Sequence, residues 1–243
     1  MSKKWRFLIG VGLIGLAALA GLVFYGRSLW VPVYQDMTGI KQTVEGVLAD
    51  YGGPARARLE PYFQAAGVAY PPSKIALLGI KDSATLELWA QTPAGWTFIR
   101  TYPVKALSGT AGPKLLEGDR QVPEGLYSIA GLNPNSAFHL SMKLNYPNAF
   151  DLQHAAAEQR HQPGSNIFIH GKAQSVGCLA MGDEAIEELF VLAATIGKTN
   201  IAVAIAPSDP RLKALPNHAQ PPWVAELYQH LTGYFHQFRR TVG

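Results

Sequence analysis

A cysteine acts as a nucleophile when its thiol ionises near neutral pH, and a histidine within hydrogen-bond reach brings that about by taking the proton. This chain of 243 residues has one cysteine, Cys178, and His170 lies eight positions before it in the stretch "NIFIHGKAQSVGCLAMGDEAIEELF" (166–190). His170 ends the strand-like run "NIFIH", Gly171 opens a turn, and the chain returns through "SVGC". A strand end and a short return loop can place two side chains face to face. Gly177 lets the backbone approach a ligand closely. The N–H groups of Gly177 and Cys178 are candidates for an oxyanion hole. The competing reading is inert: a lone cysteine is usually a small buried apolar residue. Zinc is a further reading by residue type, from His154, His161, His170 and Cys178. Their spacings match no short-ligand pattern and Cys178 has no CxxC partner, so neither a metal nor another cofactor is expected.

The elements around these residues read as a mainly β domain with flanking helices. Strand signals fall at 75–80, 85–90, 96–104, 125–129 and 137–144, where Phe138, Leu140, Met142 and Leu144 alternate as one buried face requires. Further strands are expected at 167–169 and 201–205. Between those two, residues 183–196 read as a helix, with acids in the first turn and Gly197 after the end. Residues 222–240 give a last helix, whose aromatics at helical spacing read as core packing. Upstream, 37–50 and 55–66 show helical spacing, and Gly52-Gly53-Pro54 is expected to separate them. Residues 28–36 read as a linker.

The N-terminus carries Lys3, Lys4 and Arg6, then an uncharged apolar run over 7–25, closed by Gly26 and Arg27. About 19 residues at 1.5 Å rise nearly cover a ~30 Å hydrocarbon core, and the basic flank sets the N-terminus in the cytoplasm. The expected organisation is an inner-membrane signal anchor over 1–27, a linker and helix over 28–53, and a periplasmic catalytic domain over 54–243. A cleaved signal peptide is the alternative, since Ala18-Leu19-Ala20 offers an exit site. The formal charge of +4 arises from 21 basic and 17 acidic residues. With Lys3, Lys4, Arg6 and Arg27 set aside the remainder is neutral. The basic balance therefore reports topology and does not indicate a nucleic-acid partner.

The segment "IHG" followed by "S-x-G-C-[apolar]-x-M" resembles the active-site segment of the YkuD-type L,D-transpeptidases. The runs "GVAYPPSKIALLGIK", "LELW", "SGTAGPKLLEGDRQVPEGLY" and "HLSMKLNYPNAFD" resemble their YafK-like branch, and the likeness covers roughly 54–206. It implies a YkuD-like β-rich catalytic fold acting on peptidoglycan stem peptides at meso-diaminopimelate through a thioester. It also implies that Cys178 is the nucleophile and His170 the base. The Gly171 carbonyl would then orient the imidazole and Ser175 would shape the loop. A hydrolase of the same fold, which detaches a wall-linked lipoprotein or cleaves cross-links, is an alternative the likeness leaves open. A non-catalytic peptidoglycan-binding module is another.

Val176 stands where the commoner family pattern has a second His, and Ala180 stands where it has Arg. The usual substrate contacts are therefore not all carried over. By resemblance His139 and Tyr146 line the cleft, with a half-buried strand histidine as the plain reading. Lys172 and Arg100 are candidates to meet a substrate carboxylate. Lys114, Glu117, Asp119 and Glu124 crowd a Gly/Pro loop and read as turn and salt-bridge residues.

Overall fold

The computed structural model describes residues 3–216 and 220–240, which divide into two compact units, Met1–Lys41 and Gln42–Gly243. In the first, α1 (Lys3–Tyr25) is followed by α2 (Arg27–Thr38). Residues 28–36, expected to be a linker, are thus helical. Gly39, at φ 66°, ends α2 by returning its N–H to the Gln35 carbonyl, and Pro32 inside costs one helix bond. Among the described residues no helix is long and apolar enough to cross a membrane. The expected span, 7–25, includes side chains that lie outside the described residues.

The second unit starts with α3 (Val44–Ala65), capped by the Thr43 hydroxyl, which accepts the Gly46 N–H. The break expected at Gly52-Gly53-Pro54 is absent, and one helix runs through both Pro54 and Pro61. Tertiary contacts outweigh local propensity here. Val47, Ala55, Leu59 and Phe63 form one buried stripe, and Arg58 is held by Glu187 and Glu188.

The strands are β1 (Ile75–Ile80), β2 (Thr85–Thr92), β3 (Gly95–Pro103), β4 (Gly125–Ser136), β5 (His139–Leu144), β6 (Phe168–His170), β7 (Leu179–Ala180) and β8 (Ile201–Ala206). Among the described residues they form one eight-stranded sheet in the order β3-β2-β1-β8-β4-β5-β6-β7. The β1–β8 and β6–β7 pairs are parallel and the rest antiparallel. β4 runs past its expected end by bulging between Ile129 and Gly131 and again between Asn133 and Ser136.

Helices cover both faces. Along β1, Ile75 and Leu77 join Leu59 and Phe63 of α3 and Ile186, Leu189 and Phe190 of α5 (Asp183–Ile196). Ala76, Leu78 and Ile80 join Val224, Leu227, Leu231 and Phe235 of α6 (Val224–Phe235), with Phe238 beyond it. β1 is therefore buried along its whole length, as a strand with two covered faces must be. Each large side chain buried in this way contributes about 1.5–3 kcal/mol. A further helix, α4 (Ala149–Ala157), starts at a capping box in which Asn148 and Asp151 satisfy each other's backbone N–H groups.

Candidate active site

Strand register brings the thiol and the imidazole to one place. β6 pairs with β7 so that His170 lies opposite Ala180 and Ile169 opposite Leu179. Cys178 directly precedes β7, two residues before Ala180, and its thiol lies against the backbone of residues 166–168, which leads into His170. The His170 ring is buried, 4.7 Å from the Phe138 ring centroid. Its Nδ1 lies 2.7 Å from the Gly171 carbonyl. A carbonyl only accepts, so this contact assigns the proton to Nδ1 and leaves the Nε2 lone pair free to act as a base. Gly171 itself cannot carry a side chain, because a Cβ would fall 2.6 Å from the Phe138 carbonyl oxygen and 2.8 Å from Asp183 Oδ1.

Burial disfavours the charged form of both groups. Burial holds His170 below the ordinary histidine value, although its bond to Gly171 pulls the other way. Burial pushes the Cys178 thiol up, opposed by a backbone bond from Phe168 and by the charge of Lys114. The half-buried thiol points at the Asn166 carbonyl, 3.9 Å away. Among the described contacts no hydrogen bond joins Sγ to the imidazole.

The turn before the thiol is held by two hydroxyls. Ser175 Oγ accepts the Cys178 N–H at 3.0 Å and donates to the Cys178 carbonyl at 2.5 Å. Ser108 Oγ accepts the Gly177 N–H at 2.6 Å and donates to the Arg120 carbonyl at 2.7 Å. The two N–H groups expected to form an oxyanion hole are therefore both occupied, and a substrate carbonyl must displace a hydroxyl to use either. Gly177 sits at φ 87°, and a Cβ there would lie 3.4 Å from the Gln121 carbonyl oxygen.

Ser108 and Gln121 belong to the Gly/Pro loop over 104–124, which forms one wall of the site. Its start is stitched to β7, since Lys105 N donates to the Ala180 carbonyl and Ala180 N to that of Ala106. Ala180, in the place where the family pattern has Arg, is fully buried between His170 and Ala106. The Asp119 carboxylate gathers the N–H groups of Leu115, Leu116 and Gln121 and the Lys114 ammonium. The far end is clasped by the buried Lys81–Glu124 pair, 2.8 Å apart, with the Tyr228 hydroxyl of α6 on the other Glu124 oxygen. This role of Ser108, Lys81 and Tyr228 has no local sequence signal, because each acts across a long chain separation.

Several side chains expected in the cleft are committed elsewhere. Tyr146 is buried and ties two loops, donating to the carbonyls of Pro163 and Lys114. His139 Nε2 lies 2.9 Å from Glu187 Oε1, with its ring edge-on to Tyr51 of α3. Lys172 is paired with Asp183, and Arg100 with Glu188 at 2.8 Å. Among the described residues no group of three or more His, Cys, Asp or Glu side chains could hold a metal ion. A cavity of about 1020 Å³ opens between Glu87, Asp209, Arg211 and Arg240, lined by none of the residues around the thiol.

Comparison with known proteins places this geometry. Residues 87–203, which include His170 and Cys178, match the YkuD family model, described as the L,D-transpeptidase catalytic domain. The "Putative L,D-transpeptidase YafK" of Escherichia coli strain K12 is 32% identical over 132 residues, covering 52% of this chain and 51% of that protein. The protein of the same name in strain O157:H7 gives the same values. The chain thus spans about half the length of the curated relatives it matches. Among solved structures, the helical cell shape determining protein Pgp2 (K307A mutant) of Campylobacter jejuni is 18% identical at a TM-score of 0.46, over 74% of this chain and 63% of that one. Bd1075 of Bdellovibrio bacteriovorus is 20% identical at a TM-score of 0.41, over 69% of this chain and 57% of that one. The β-rich sheet with its flanking helices fits the matched family, and it is residues 87–203 of this chain that match the YkuD-type L,D-transpeptidase catalytic domain.

Proposed function

We propose that this protein is a cysteine-dependent acyl-transfer enzyme of the peptidoglycan layer, acting on stem-peptide amide bonds next to a meso-diaminopimelate centre. The observation that carries this reading is the His170–Gly171 contact, which leaves Nε2 unprotonated on a strand paired with the one that Cys178 directly precedes. In the reaction the thiol proton passes to Nε2 as Sγ bonds to the amide carbonyl carbon. The C–N bond then breaks, and the imidazolium returns the proton to the departing amine, leaving a thioester on Cys178. An incoming amine completes transpeptidation, and water completes hydrolysis. The apolar run over 7–25 and its basic flank, read from the sequence, are the ground for an inner-membrane anchor that leaves the catalytic unit in the periplasm.

The test is mass spectrometry of muropeptides incubated with the detergent-solubilised full chain. The wild type is expected to make or cleave stem-peptide links, with Cys178→Ala and Cys178→Ser inactive. New cross-links identify an amine acceptor, and shortened stems identify water. Wall processing retained in Cys178→Ala refutes the reading.

A further inference from the structure

The cations that the sequence offers near the thiol are mostly consumed by the fold. Lys172 is paired with Asp183, Lys114 with Asp119 and Arg100 with Glu188. Arg120 is different. It is exposed, and among the described residues its guanidinium has no hydrogen-bond or ion-pair partner. Its backbone sits at φ 56°, a left-handed conformation that crowds any residue bearing a Cβ and favours glycine. An arginine at such a position is not explained by backbone preference. The neighbouring carboxylate of Asp119 holds the strained turn by accepting three backbone N–H groups.

The location gives this guanidinium a use. The Arg120 carbonyl accepts the Ser108 hydroxyl, which in turn accepts the Gly177 N–H. The Arg120 carbonyl carbon lies 3.8 Å from where a Cβ on Gly177 would be, and the next residue is the nucleophile. The long Arg120 side chain therefore starts beside the turn that carries the nucleophile. We infer that Arg120 is a substrate-binding residue of this site, taking a carboxylate of the acyl-donor peptide beside the bond that Cys178 attacks. A planar guanidinium suits a carboxylate bidentately. The assignment rests on the peptidoglycan reading for the identity of the peptide, but not for the position of the charge.

Because Cys178 is the only cysteine, its alkylation reports the local charge without any substrate. The ratio of its rates with anionic iodoacetate and neutral iodoacetamide measures attraction of an anion to the thiol. In the full chain, Arg120→Gln is expected to lower that ratio about three- to eightfold, the effect of one charge at ~7 Å in a half-wet site. Arg120→Lys should recover most of it, and Lys213→Gln, in the distant cavity, should leave it unchanged. In a second arm, wild type should prefer a stem peptide with a free carboxylate beside the scissile bond over its carboxamide. Arg120→Gln should erase that preference by raising KM about tenfold or more with kcat nearly unchanged. A ratio unaffected by Arg120→Gln overturns the assignment whatever the peptides do, as does a retained carboxylate preference. A lowered ratio with neither peptide processed by wild type upholds the position of the guanidinium and overturns the peptidoglycan reading instead.

Discussion

Replacing His170 by alanine separates two kinds of chemistry at one thiol. Burial holds the imidazole below its ordinary value and the thiol above 9.0, so the resting site is a neutral pair. A thiol that burial pushes up is mostly protonated at pH 7. Alkylation by iodoacetamide needs only the thiolate, so its rate should climb about tenfold per pH unit between about pH 6 and 8. His170→Ala should leave this rate within about threefold, because no imidazolium is present to hold the anion. Acyl transfer makes a different demand. There Nε2 must take the proton as Sγ attacks and give it back to the leaving amine, and loss of such a base costs about 10²–10⁴-fold in kcat. The assay pairs iodoacetamide kinetics with turnover of a stem peptide in both proteins across pH, with near-UV circular dichroism to check the packing around Phe138. An alkylation rate flat from about pH 5 to 8 refutes the neutral pair. So does an alkylation rate that falls more than about tenfold in His170→Ala, since either result requires a preformed thiolate–imidazolium.

Two further expectations concern the frame. Burial pushes Asp151 up to about 6, against the pull of the Asn148 N–H and the Tyr127 hydroxyl. Its folded-state value exceeds the ordinary 3.8, so its contribution to stability is complete below that pH and lost as pH rises through about 6. The loss is about 3 kcal/mol, and Asp151→Asn should flatten urea-derived stability between about pH 4 and 7 by that amount. An unchanged pH slope would show that Asp151 does not titrate in this window. Lys81→Met leaves the Glu124 carboxylate buried without a countercharge and should cost about 3–5 kcal/mol in urea unfolding, with Lys81→Met/Glu124→Gln recovering part of the loss. A loss under about 1 kcal/mol in the single variant would mean that the clasp does not hold the loop.

The readable parts of this chain are those where local pattern and tertiary need agree. β1 and α5 lie at the residues their patterns indicate, and Leu140, Met142 and Leu144 are buried as their alternation requires. In α3 two glycines and a proline signal a break, while a buried stripe and the Arg58 ion pairs keep the helix whole. α4 starts at an Asn148–Asp151 spacing that is itself a capping signal in the sequence. At the site, "IHG" and "SVGC" contain the thiol, the base and the carbonyl that orients it. The wall does not follow from those letters. Ser108 reaches Gly177 across 69 residues, and Lys81 reaches Glu124 across 43. Such contacts depend on how the sheet is closed, and hydrophobic periodicity carries no information about that.

The closing strand is β8, which lies between β1 and β4 and pairs with both. During synthesis, before residue 206 emerges, the sheet can exist only as two pieces, β3-β2-β1 and β4-β5-β6-β7. The second piece already contains His170 and the strand pairing that aligns it with Cys178. Lys81 belongs to the first piece, and its clasp on Glu124 spans the join. The reactive pair is thus assembled early and locally, while its wall is locked only when nearly the whole chain is available. A product that stops short of β8 would carry the thiol with an unfastened wall and two unpaired strand edges, the state most open to wrong partners. The order in which the chain is made therefore acts as a check on its chemistry: a complete site is also evidence that β8 has been made and paired.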